Sequence, residues 1–137
     1  MKRVLVGGSF NLLHQGHIFF LSRAKRLGDY LVVIIATDNT VLKNKKPLLL
    51  PAEKRKRLVE KLGVADKVRI GSDSDFFKMV EEEKPDIIAL GYDQKLSKEL
   101  IKRIKEALPK CRIIRIHSRL KGYSTSKILK ELGVKTR

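Results

Sequence analysis

The chain has 137 residues, enough for one core without disulfides or metals and too few for two ordinary domains, so 1–137 is read as a single domain. Lys and Arg number 31 against 15 Asp and Glu, a formal charge of +16 that attracts polyanions, acidic membranes or phosphorylated small molecules without choosing among them. Cys111 as sole cysteine excludes an intrachain disulfide, and no apolar run approaches the roughly 18 residues of a membrane span, so a cytoplasmic protein is expected.

In chain order, the start Met1-Lys2-Arg3 enters a short apolar run, Val4 to Val6, that ends in glycines. Further Val, Ile and Leu runs follow at Leu31 to Ala36, Val68 to Ile70, Ile87 to Leu90 and Ile113 to Ile116, each the pattern of a buried strand. Helical spacing lies between them, as in Phe20, Ala24, Leu27 and in Leu100, Ile104, Leu108. A helix is predicted from about Ala52 to Leu62, entered after Pro51, with Leu58, Val59 and Leu62 on its apolar face and Gly63 as its stop. A last helix is predicted from about Ser124 to Leu132, with hydroxyl residues as caps and Gly133 as its end.

Strand alternating with helix, with near-continuous apolar strands, implies an α/β fold: a Rossmann-like doubly wound sheet of about five parallel strands with helices on both faces. Such sheets bind ligands beyond the carboxyl ends of their strands. The residues in those places are Gly7 to His17, Thr37-Asp38, Gly71-Ser72, Gly91 to Asp93, and His117 onward.

Gly7-Gly8-Ser9-Phe10-Asn11-Leu12-Leu13-His14-Gln15-Gly16-His17 is a Gly-rich turn leading into a helix start, where free N–H groups face an anion. His14 and His17 are three apart and share one side of a helical turn, and Gly16 between them carries no side chain to block a flat base or a phosphate. An ordinary capped helix with exposed histidines satisfies the same spacing. Two histidines without a third His, Cys or placed carboxylate make a poor zinc site, and Asn11 is neutral, so no protein-held metal is assigned. Ser124, Thr125 and Ser126 bring hydroxyls and backbone N–H groups to another helix start, with Arg119 able to add a fork of donors.

Together these segments resemble the HxGH nucleotidyltransferase superfamily, specifically its cytidylyltransferase-like branch. Gly8-Ser9-Phe10-Asn11 through His17 is similar to the pattern G-x-F-D-x-x-H-x-G-H, with Asn11 where the branch usually has Asp. Lys43 to Pro47 resembles its lysine-bearing loop, Arg55 falls at the arginine of P-x-E-x-R, Gly91-Tyr92-Asp93-Gln94 resembles G-x-D, and Arg119 to Ser126 resembles R-T-x-G-I-S-T-S.

The resemblance implies a nucleotidyltransferase in which a phosphate oxygen of the acceptor attacks the α-phosphorus of a triphosphate and pyrophosphate leaves. Among relatives, glycerol-3-phosphate cytidylyltransferases, heptose-phosphate adenylyltransferases and the archaeal-type FAD synthases that adenylylate FMN share the motifs. The Gly91 to Gln94 segment is more similar to the FAD synthase form and Arg119 to Ser126 to the cytidylyltransferase form; AMP transfer from ATP to FMN is the expectation.

His14, His17, Lys46 and Arg55 are then expected to serve the phosphates, with Lys43 the rival of Lys46. Nucleotide contacts are expected at Ser9, Phe10, His14, Gln15, Gly16, His17, Asp93, Arg119, Ser124, Thr125 and Ser126. Mg²⁺ would arrive on the triphosphate without protein ligands. A homodimer is implied by the family alone. A nucleic-acid-binding module is the alternative of another class, motivated by the charge and by the similarity of Tyr123-Ser124-Thr125-Ser126-Lys127 to the KMSKS loop of class I aminoacyl-tRNA synthetases; 6% aromatic content is sparse for base stacking.

Overall fold

The computed structural model describes residues 1–73 and 75–117. The strands are β1 (Arg3–Gly8), β2 (Tyr30–Ile35), β3 (Lys67–Ile70), β4 (Ile87–Leu90) and β5 (Arg112–Arg115). The helices are α1 (Gln15–Lys25), α2 (Asp38–Lys43), α3 (Ala52–Lys61), α4 (Phe76–Glu83) and α5 (Lys98–Ala107). All strand pairings are parallel, in the order β3-β2-β1-β4-β5.

The two-residue period of the strands divides the core. Val4, Val6, Leu31, Val33, Ile35, Ile87 and Ala89 face Leu21 and Ala24 of α1 and Val59 of α3. The alternate residues Leu5, Val32, Ile34, Ile88 and Leu90 face Phe77, Met79 and Val80 of α4 and Ile104 of α5. Helices cover both faces, and the doubly wound expectation holds.

The chain builds outward from β1 through β2 to β3, then returns to lay β4 on the other side of β1. This reversal separates the loop after β1 from the loop after β4 and opens a crevice at their carboxyl ends.

Two expectations differ. Leu58 is 37% exposed, because the buried residues of α3 recur as Ala52, Arg55 and Val59 and Leu58 stands off that stripe. The second crossover also holds an extra short helix, α2, capped by Thr37 and burying Val41 alone, too little apolar periodicity to be read from sequence. The predicted helix from about Ser124 lies outside the described residues.

Candidate active site

A cavity of about 800 Å³ lies at the carboxyl ends of the strands. One wall is the β1–α1 turn, and its path depends on Phe10. Phe10 has φ 49°, the left-handed region, which costs a non-glycine residue about 1 kcal/mol. Its ring is 3% exposed and lies 5.4 Å from the His17 ring; burial of a Phe side chain, about 1.5–3 kcal/mol, offsets the strain. Gly8 must be small, since a Cβ there would sit 2.9 Å from the Phe10 ring.

His14 is the N-cap of α1, and its Nδ1 accepts the Gly16 N–H at 3.0 Å. Three residues on, Nδ1 of His17 accepts the His14 N–H at 3.3 Å. The pair forms a capping box in which imidazoles replace the usual hydroxyl and carboxylate, and the rings lie 4.0 Å apart. With both Nδ1 atoms accepting, the proton of each neutral ring belongs on Nε2. Burial lowers the pKa of His14; burial first, then the charge of His14, pushes His17 down to about 4. Both rings are therefore uncharged at neutral pH and carry an N–H rather than a countercharge.

His14, Gly16 and His17 all line the cavity, as do Ser9, Phe10, Lys46 and Asp93. Of the three rival lysines, Lys46 lines it and Lys43 and Lys45 do not. Gln15, the first residue of α1, is exposed and does not line it.

Arg55 is the larger correction. Its side chain is fully buried and absent from the lining: Nε donates to Leu50 O at 2.9 Å, Nη1 to Ser9 O at 2.8 Å and Ala36 O at 2.7 Å, and Nη2 to Asp38 Oδ1 at 2.8 Å. A guanidinium engaged in that way does not reach a phosphate. It gathers the ends of β1 and β2, the start of α2 and the entry to α3, and so positions the cavity floor.

Asn11, 3% exposed, joins the same wall to the lysine segment: Nδ2 donates to Pro47 O, and Oδ1 accepts the Leu49 N–H at 3.0 Å.

On the far side, Gln94 bridges the two strands that open the crevice, accepting the Gly91 N–H at 2.8 Å and donating to Gly7 O at 2.8 Å. Arg115 braces that loop by donating to Gly91 O at 2.7 Å. Neither role was assigned from sequence. Gln94 stood in a recognised segment without a role, and Arg115 carried no local signal.

Asp93 is the only carboxylate residue among the described lining residues, and no group of three His, Cys, Asp or Glu converges among them. The donors here are backbone N–H, imidazole, amide and ammonium, which suit an anion. An apolar flank is formed by Phe76, Met79, Leu96 and Leu100. Arg119, Ser124, Thr125 and Ser126 lie outside the described residues.

The turn, the histidine cap and the crevice at the sheet's reversal come together in residues that a cytidylyltransferase-like family model matches from 5 to 131. The chain belongs to the cytidylyltransferase-like family. Within the family it is 45% identical over 118 residues to the FAD synthase of Methanosarcina mazei, covering 85% of this chain and 77% of that protein. It is 42% identical over 120 residues to the FAD synthase of Ferroglobus placidus, covering 87% and 78%. A solved structure of the lipopolysaccharide core biosynthesis protein from Thermoplasma volcanium superposes with a TM-score of 0.82 at 42% identity, covering 88% of this chain and 99% of that one. Among the described residues, no helix is long and apolar enough to cross a membrane.

Proposed function

We propose that the chain is an FMN adenylyltransferase, which transfers AMP from ATP to FMN and releases pyrophosphate, forming FAD. The observation that carries this reading is the 42–45% identity to FAD synthases over most of both chains, in a chain whose cavity is lined by the nucleotidyltransferase turn. A volume of about 800 Å³ suits two ligands, and the apolar flank offers surface to a flat ring.

The FMN phosphate is already an anion, so a phosphate oxygen attacks the α-phosphorus of ATP without a strong base. The new oxygen–phosphorus bond forms as the bond to the bridging oxygen of pyrophosphate breaks. The protein's task is positioning and stabilising charge. The Nε2–H groups of His14 and His17 donate to triphosphate oxygens, and Lys46 supplies the positive charge. Ser9, Phe10 and Gly16 let the backbone approach closely, and Asp93 takes a ribose hydroxyl or a base amine. Arg119, Ser124, Thr125 and Ser126 complete the reading as phosphate donors. Mg²⁺ comes with ATP as part of the substrate, held by its oxygens. A cytoplasmic location agrees with a buried, unpaired Cys111, and a homodimer belongs to the reading by family likeness alone.

The test is to supply ATP or CTP with FMN, glycerol 3-phosphate or a heptose 1-phosphate, and to measure pyrophosphate together with FAD. ATP and FMN should yield both products. Pyrophosphate from a different pair only, or from none, would overturn the assignment. In His17→Ala the rate should drop on the order of a hundredfold, as for loss of a transition-state donor.

A further inference from the structure

Asn11 occupies the place where the branch usually has an aspartate, and its partners explain the amide. An ionised carboxylate can accept the Leu49 N–H but has no hydrogen to give to Pro47 O, and it would face that carbonyl oxygen with a negative charge. The amide satisfies both, and it is buried, so neither bond is readily replaced by water.

These bonds span 36 and 38 residues and reach the chain immediately after Lys46. On the other side, the Lys46 N–H donates to Val41 O at 3.2 Å, and Lys45 turns through the left-handed region with φ 59°. Lys46 therefore sits between a tie to α2 and a tie to the β1–α1 turn.

We propose that Asn11 is a positioning residue for adenylyl transfer, clasping the Lys46 segment to the phosphate-binding turn so that its ammonium meets the triphosphate. The clasp rests on the reading of Lys46 as a phosphate ligand. Aspartate at this position forfeits the donor half of the clasp, so the clasp in this chain depends on asparagine.

Two measurements test it. Hydrogen exchange on the ligand-free protein reads the clasp itself: in Asn11→Ala the Leu49 amide should exchange about tenfold faster or more, with β2 amides unchanged as the sign of an intact fold. Unchanged Leu49 protection would overturn the clasp. The second is a double-mutant cycle on the rate of pyrophosphate release. Asn11→Asp should lower kcat/KM by about tenfold or more, yet by less than about twofold when added to Lys46→Ala. Losses that multiply would show that Asn11 does not act through Lys46. Should the wild type release no pyrophosphate from ATP and FMN, the adenylyl-transfer reading fails while hydrogen exchange still decides the clasp.

Discussion

Arg55 and His17 were both read from sequence as phosphate residues, and the structure separates them. Each of the carbonyls bound by Arg55 would lose a buried donor in Arg55→Ala, at roughly 1 kcal/mol apiece, and a cavity would remain. The expected loss is about 3–5 kcal/mol, read as a lower urea midpoint. Lysine should not restore it, because one ammonium cannot span the fork. Nothing in the sequence near Arg55 shows this, since Ser9 and Ala36 lie 46 and 19 residues away and contribute only backbone oxygens. His17 was legible as a chemical group but not in its charge state. As pH falls from about 6.5 toward 4, the unfolded chain takes up a proton on this ring that the folded one refuses, so stability falls through that window. The acid shift of the thermal midpoint between pH 7 and about pH 4.5 should therefore be smaller in His17→Gln than in the wild type.

Among the elements, the strands were the most legible, because β1, β2, β4 and β5 put apolar residues on both faces and β3 alternates Val68 and Ile70 with charge, patterns that need no partner to be recognised. How they are tied at the end away from the cavity was not. Glu83, the last residue of α4, is buried and accepts from Arg3 at 2.9 Å, Lys67 at 2.8 Å and Arg69 at 2.7 Å, joining α4 to β1 and β3. Burial alone would raise its carboxyl pKa; hydrogen bonds from Lys67 and Arg69, with their charges, outweigh it and hold the carboxyl below its usual range. Its stabilisation is present above the unfolded value, about 4.3, and is lost as pH falls through the folded one. Glu83→Gln should cost about 1.5–3 kcal/mol at neutral pH, the scale of a hydrogen bond to a charged group, with the partly exposed cations keeping it at the lower end. In urea titrations the gap between variant and wild type should narrow below about pH 4.

At the scale of the whole molecule, a formal charge of +16 accompanies a cavity whose own histidines are neutral. In the proposed adenylyl transfer the long-range field and the local donors would have separate tasks: the first would gather ATP and FMN, both anions, and the second would hold them. Raising ionic strength from about 0.02 to 0.2 M should lower kcat/KM several-fold with a smaller effect on kcat, because screening acts on encounter more than on contacts inside the cavity. An equal fall in both would place the salt effect on the chemical step instead.

By itself the sequence determined the strands, the parallel doubly wound sheet that their alternation with helices requires, and the His14 to His17 step as a helix start beyond the first strand. These are local facts, carried by apolar periodicity and by glycines next to a helix start. Tertiary structure alone decided that the histidines are neutral donors, that Lys46 rather than Lys43 or Lys45 lines the cavity, that Arg55 and Asn11 hold the walls, and that Gln94 bridges β1 and β4. Burial sets a charge state and a hydrogen bond chooses its partner only when segments distant in the chain are brought into contact, and periodicity along the chain does not encode that contact.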